Sequence, residues 1–142
     1  MNICYLALGS NLKSPERQIR LAIQQLRQLS KTRVISIAPL YINPAIGRRA
    51  QPIFCNTVLK ILTTLKPIEL LDACQLIEKS QERVRRVRWG ARTIDIDILY
   101  FGHRQIQTPR LTIPHPFIHE RDFVSIPLKQ LSKIHATSAD NR

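Results

Sequence analysis

RVRRVRWGARTIDIDILYF, residues 83–101, sets a dense run of arginine directly against a pair of carboxylates. Its second half, Thr93 to Phe101, is rich in isoleucine and aromatics, lacks glycine and proline, and alternates as a β-strand does. Side chains two apart on a strand share a face at roughly 6 to 7 Å, so Asp95 and Asp97 point the same way. Ile94, Ile96, Ile98 and Tyr100 then point the other way, and the aspartate face continues into Leu99 and Phe101 as core. Two carboxylates on a face that turns apolar need a partner, because unpaired buried charge is expensive. Mg²⁺ meets that need: hard cations favour oxygen ligands and commonly join one or two carboxylates to substrate phosphates. Two such ions ~4 Å apart can clamp a transferring phosphoryl group. The plainer alternative is a solvated strand end.

Arg83, Arg85, Arg86, Arg88 and Arg92 weigh towards phosphate, since guanidinium groups bind it in a planar, bidentate way and stay charged at any working pH. A solvated basic loop or a nucleic-acid patch, with Trp89 as surface anchor or stacking ring, is the competing reading.

The rest of the chain bounds these options. At 142 residues, 44% hydrophobic and 23% charged, it is one soluble globular domain, 1–142, and not a disordered tail. Twenty-two basic against ten acidic residues leave a net charge of +12, so an anionic partner is expected: a nucleotide, a nucleic acid or an anionic membrane surface. Cys4, Cys55 and Cys74 are widely spaced, in apolar segments and without a CxxC pair, and read as buried thiols of a reduced cytoplasm. No apolar run approaches the ~20 residues of a membrane span, and no signal-peptide pattern opens the chain.

Asn2 to Leu8 suits a strand buried on both faces, and Gly9, Ser10 and Asn11 a turn. Ser14 and Pro15 stand where an N-cap and first helical residue belong, ahead of Ile19, Ala22, Ile23, Leu26 and Leu29 at helical spacing. The turn lacks the GKS/T of a P-loop, which leaves it architectural. Thr32 to Leu40 reads as an edge-like strand ending at Pro39, Tyr41 to Pro52 as a loop without regular structure, and Phe54 to Thr63 as a strand. Pro67 opens a second helix whose buried stripe is Leu70, Leu71, Cys74 and Ile77. Its Gln75 and Glu78, on chemistry alone, are solvated polar groups. Gly102 and His103 make a turn, and Thr108 to Pro116 is broken three times by proline. That argues against a helix carrying His115 and His119 as a zinc pair. From Ser132 onward a polar, poorly ordered tail is expected.

The order strand, helix, strand, strand, helix, strand predicts an α+β, ferredoxin-like βαββαβ fold. Its antiparallel sheet would carry both helices on one face, leave the other to ligands and loops, and end in an irregular C-terminal extension. RNA-binding domains share that layout, but this chain lacks their aromatic-rich strands.

WGARTIDIDILYFG (89–102), LTIPHP (111–116) and ALGSNL (7–12) together resemble the 6-hydroxymethyl-7,8-dihydropterin pyrophosphokinases of folate synthesis, from Leu6 to about Leu128. The resemblance implies transfer of diphosphate from ATP to the hydroxymethyl group of a dihydropterin, with release of AMP. It implies two Mg²⁺ ions on Asp95 and Asp97, with Arg83 and Arg92 as further catalytic groups. ATP would meet Gln75, Glu78, Arg85, Arg88, Trp89, Ile98, Arg110, Thr112, His115 and Arg121. The pterin would meet Asn43, Pro44, Ile46, Phe54, Asn56, Trp89, Asp95, Arg121 and Phe123, where Phe54 and Asn56, two apart on a strand, can supply an aromatic face and an amide. The segment from Arg83 to Trp89 would close as a lid. Asn43 stands where the family usually has threonine, and Pro116 where an aromatic is common. A cytoplasmic monomer acting on small molecules, without nucleic acid or membrane, is expected. A catalytically dead scaffold is disfavoured by the full set Arg92, Asp95, Asp97, His115 and Arg121.

Overall fold

The structure, a computed structural model, describes residues 1–11, 14–43, 53–81 and 93–140, with the side chains of 43 and 132–140 left aside. Its elements are β1 (Asn2–Ser10), α1 (Pro15–Arg27), β2 (Thr32–Ile37), β3 (Tyr41–Asn43), β4 (Phe54–Thr63), α2 (Pro67–Gln81), β5 (Asp95–Phe101), β6 (Ile106–Gln107), β7 (Thr112–Ile113) and α3 (Asp122–Asp140). The main sheet runs β2-β4-β1-β5, every pair antiparallel, and β3 pairs with β4. With α1 and α2 as the two crossovers, this is the expected ferredoxin-like arrangement.

Alternation along β1 decides what each face does. Cys4, Leu6 and Leu8 point into the larger core, with Ile19, Ala22 and Leu26 of α1 and Leu70, Cys74 and Ile77 of α2. Ala7 points the other way, into a second cluster with Val58, Leu99, Val124 and Leu131. The stripe expected for α2 is buried throughout; that expected for α1 is buried at Ile19, Ala22 and Leu26, with Ile23 and, beyond the helix end, Leu29 partly buried against the same core.

Four expectations are corrected. The first concerns the parity of β5. The register with β1 slips between Tyr5 and Leu6, so Tyr5 faces Tyr100 while Leu6 faces Ile98, and Leu99 has no opposite number. One extra residue in a strand reverses the faces beyond it. Tyr100 therefore joins Leu99 on the second cluster, and Phe101 joins Ile96 and Ile98 in the main core.

The second is β3, three paired residues inside the expected loop. β4 is ten residues long and β2 pairs only with its later part, so the first part of that edge is open for Tyr41–Asn43. Between β2 and β3 the chain stays stitched to β4: the Ala38 N–H donates to the Val58 carbonyl at 2.9 Å, and Thr57 Oγ1 donates to the Ala38 carbonyl at 2.8 Å.

The third is α3, which takes the place of the irregular C-terminal extension expected. The backbone is helical through Asp140 and lies on the face opposite α1 and α2, so that face is only partly left to ligands. Val124, Leu128 and Leu131 form its apolar stripe. Pro127 lies within the helix and, having no N–H, cannot bond the Phe123 carbonyl.

The fourth is Ser14. It precedes α1 as expected but adopts φ 57° and makes no side-chain cap bond.

Candidate active site

Three strands build the floor. Gly9 on β1 is the register partner of Asn56 on β4 and of Asp95 on β5; one step along, Ala7 faces Val58 and Asp97. Antiparallel partners project to the same face, and adjacent strands lie ~4.8 Å apart. Asn56 and Asp95 therefore stand two strands apart with a side chain missing between them, leaving a slot that a flat ring can enter. Gly9 is needed for it: a Cβ there would lie 2.7 Å from Asn56 Oδ1. Asn56 is 6% exposed, and its Nδ2 has no hydrogen-bond partner among the described residues. Such a donor costs free energy until an acceptor arrives. Tyr41 sits opposite Asn56, and the half-exposed Phe54 ring opens the same face of β4.

Beside this floor, at the free edge of β5, is a cleft of about 400 Å³. α2 lines it with Gln75 and Glu78, β5 with Asp95, Asp97 and Ile98, β7 with Thr112, and the chain on either side of β7 with Arg110 and His115. Every described residue that the resemblance gives to ATP, apart from Arg121, is thus gathered in one concavity.

The bonds inside it correct the reading of Gln75 and Glu78 as merely solvated. Glu78 Oε2 accepts the Ile96 N–H at 2.8 Å, on the edge of β5 turned away from β1 and between the two aspartates. The His115 N–H donates to the Leu99 carbonyl at 3.0 Å, so two partners occupy an edge that would otherwise be open. Gln75 Oε1 accepts from the Arg110 guanidinium at 3.0 Å, and Asp72 Oδ1 accepts from the same nitrogen at 2.7 Å. Asp72 carries no signal in sequence beyond its place one helical turn before Gln75.

His115 Nδ1 accepts the Phe117 N–H at 3.1 Å, which leaves Nε2 to carry the proton in the neutral ring. That Nε2 lies 3.9 Å from Asp97 Oδ2, too far for a hydrogen bond but near enough for electrostatic coupling. The Asp97 side chain is 46% exposed, open to water and to ions. Arg121 lies with its guanidinium carbon 4.9 Å from the Phe117 ring centre and 5.8 Å from that of Phe123. Phe117 is a second residue at the site that carries no signal in the sequence.

Arg83, Arg85, Arg88, Trp89, Arg92, Pro44 and Ile46 lie outside the described residues, as does the expected lid; the Asn43 backbone pairs opposite Phe54 in β3. The three cysteines are buried free thiols, as expected from their apolar surroundings. Burial pushes those of Cys4 and Cys74 up to about 12.

Comparison with known proteins bears on the whole chain. A family model for 7,8-dihydro-6-hydroxymethylpterin-pyrophosphokinase matches residues 5–133. The 2-amino-4-hydroxy-6-hydroxymethyldihydropteridine pyrophosphokinase of Pseudomonas aeruginosa is 47% identical over 128 residues, spanning 90% of this chain and 79% of that protein. The protein of the same name from Haemophilus influenzae is 46% identical over 132 residues, 93% of this chain and 82% of its own. That from Bacillus subtilis is 41% identical over 142 residues, 98% and 85%. Among solved structures, an HPPK-DHPS chain in complex with substrates superposes with a TM-score of 0.67 at 15% identity. It is covered over 91% of this chain and 40% of its own, a likeness of fold alone. With a slot bearing an unpaired amide, a cleft holding twin aspartates and these relatives along its length, the chain belongs to the 7,8-dihydro-6-hydroxymethylpterin-pyrophosphokinase family.

Proposed function

We propose that the chain, 1–142 as a single domain, transfers diphosphate from ATP to the hydroxymethyl group of 6-hydroxymethyl-7,8-dihydropterin in folate biosynthesis. The hydroxymethyl oxygen bonds to the β-phosphorus, the bond from that phosphorus to the oxygen bridging to the α-phosphorus breaks, and AMP leaves with that oxygen. The hydroxyl proton passes to solvent.

The observation that carries this reading is the row Asn56, Gly9, Asp95 beside the cleft. A pterin ring lying over Gly9 gives the Asn56 amide the acceptor it lacks, with Phe54 and Phe123 as faces to stack on. Asn43, Pro44, Ile46 and Trp89 complete this contact set by resemblance. The triphosphate would occupy the cleft, among Thr112, His115 and Arg110, with the base towards Gln75, Glu78 and Ile98. Arg110 then exchanges Asp72 for phosphate. Such catalysis is largely positioning and electrostatics. Arg83, Arg85, Arg88, Arg92 and Arg121 add positive charge where charge develops.

Asp95 and Asp97 fit Mg²⁺: both lie on one face of β5, both are partly exposed, and both offer only oxygen. Ions held by these two carboxylates would have their coordination completed by water and phosphate oxygens, since among the described residues no three His, Cys, Asp or Glu side chains are placed to hold a metal ion together. Two bound Mg²⁺ ions would supply charge neutralisation across the triphosphate. The chain is proposed to act as a cytoplasmic monomer on small molecules, without nucleic acid or membrane; no described helix is long and apolar enough to cross a membrane.

Incubation with ATP, Mg²⁺ and the dihydropterin, read as AMP formed, tests this. AMP that requires both the pterin and Mg²⁺ supports it. AMP formation indifferent to the pterin, or none at all, overturns it.

A further inference from the structure

Phe117 is 43% exposed and belongs to neither core cluster, although its neighbour Ile118 is 2% exposed and anchors the turn in the second one. A ring so exposed contributes little to the core. Its contacts point elsewhere. The edge of one ring meets the other between Phe117 and His115, with centres 5.9 Å apart and planes at 63°. The Phe117 N–H also fixes His115 Nδ1, and the Phe117 ring lies under the Arg121 guanidinium at 4.9 Å. Phe123 takes a second contact with that cation at 5.8 Å, and both distances fall within the ~6 Å over which a cation is held by a ring.

These contacts have a consequence for recognition. A guanidinium held by attraction to aromatic rings, and not by a carboxylate, keeps N–H donors available to an anion. Among the described residues Arg121 has no carboxylate partner, so the rings orient it without neutralising it. Its backbone is fixed as well: the Arg121 carbonyl accepts the N–H groups of Val124 at 3.0 Å and Ser125 at 2.8 Å, at the start of α3.

We propose that Phe117 is a positioning residue that presents Arg121 to the bound substrates and ties it to His115 at the phosphate end of the cleft. The chain Asp97, His115, Phe117, Arg121, Phe123 thereby links the carboxylate pair to the ring-stacking side of the site. This rests on the proposed reading of Arg121 as a substrate-facing cation.

The test compares Phe117→Leu, Phe117→Trp, Arg121→Met and the Phe117→Leu/Arg121→Met pair by kcat/KM for the dihydropterin. Titration with α,β-methylene ATP runs in parallel and needs no turnover. Phe117→Leu is expected to lower kcat/KM and analogue affinity about three- to fivefold, with Phe117→Trp restoring both, as the loss and recovery of one cation–ring contact would. In the Arg121→Met background the Phe117→Leu effect should vanish. The exposed position predicts an unchanged Tm for both Phe117 variants. Phe117→Leu within about 1.5-fold of the parent in both measurements, an equal loss when Arg121 is already methionine, or no recovery with tryptophan would overturn the proposal. Absence of AMP from the parent protein would instead count against the reaction itself, and the analogue titration would still decide the role of Phe117.

Discussion

The two faces of β1 show how one strand serves stability and chemistry at once. Towards α1 and α2 it presents Cys4, Leu6 and Leu8, each at most 1% exposed. Towards α3 it presents Tyr5, Ala7 and Gly9, a series that shrinks to nothing as the strand approaches the site. The neighbours change in step: on β4 the same face runs Val58, Asn56, Phe54, and on β5 it runs Leu99, Asp97, Asp95. Apolar packing therefore continues across the whole of one face but only part of the other. The remainder is where side-chain volume gives way to a slot.

The largest effect that would test this division is the loss of either carboxylate. Asp95→Ala or Asp97→Ala should lower AMP formation on the order of 10³-fold, as removal of an electrostatic clamp on a transferring phosphoryl group does. Stability, read by urea titration, should move by no more than ~0.5 kcal/mol, because these are partly exposed side chains outside both apolar clusters. Full activity in either variant would remove the metal role.

The opposite substitution lies one residue from the Asp97 row. Leu6 is fully buried, with Leu59 on one side and Ile98 on the other. Leu6→Ala should cost ~2–5 kcal/mol of stability through the lost transfer energy and the cavity left behind. Activity per folded molecule should stay close to that of the parent. A variant as stable as the parent, or one folded but inactive, would show that the faces are not separable.

Much of this division is legible in sequence. Asp95 and Asp97 stand out because alternation puts two charges into a strand that is otherwise apolar, and α1, α2 and β4 follow from periodicity and from prolines at the right ends. What escapes are features set by pairing rather than pattern. The bulge at Leu99 leaves composition unchanged yet exchanges the faces of Tyr100 and Phe101. β3 is three residues that are a strand only because β4 offers them an edge. α3 is hidden by Pro127 and by a stripe that has meaning only against Val58 and Leu99. In the site, Asn56 is visible through resemblance, but its unpaired donor is a fact of burial; Asp72 and Phe117 matter because of what the fold places next to Arg110 and Arg121.

The slot itself gives a smaller effect. Asn56→Ala should raise the KM for dihydropterin ~10–100-fold, the loss of about one to two well-placed hydrogen bonds, while leaving stability within ~1 kcal/mol because a buried unpaired donor goes with it. Gly9→Ala places a methyl group 2.7 Å from Asn56 Oδ1 and should raise the same KM ~5–10-fold by displacing the amide. Combining the two should give less than the product of the separate effects, since the second change acts through a group the first has removed. Strict multiplication would mean that Gly9, which lies inside β1 and not in the turn expected there, acts on the substrate independently of the amide.

The smallest effect at working pH belongs to the packed face, where Cys4 and Cys74 are held far from ionisation. Burial is the leading cause for both, and each thiol is pushed up from 9.0 to about 12. Cys55, on the opposite side of β4 from Phe54 and Asn56, is raised by burial first and by Glu16 second. Thiolate is the reactive form. Iodoacetamide at pH 8 should therefore label Cys4 and Cys74 only after denaturation, with AMP formation unchanged by the treatment of native protein. The sign at alkaline pH follows from proton counting: between about 9 and 12 the unfolded chain has lost these protons and the folded chain has kept them. Stability is accordingly full below pH 9 and falls as pH rises through that window. Replacing Cys74 by alanine should make the alkaline decline shallower while leaving the pterin KM untouched, because the side chain removed lies on the face that holds the fold and not on the one that holds the substrate. A shift in that KM would show that packing around α2 reaches the slot through Glu78 and the edge of β5.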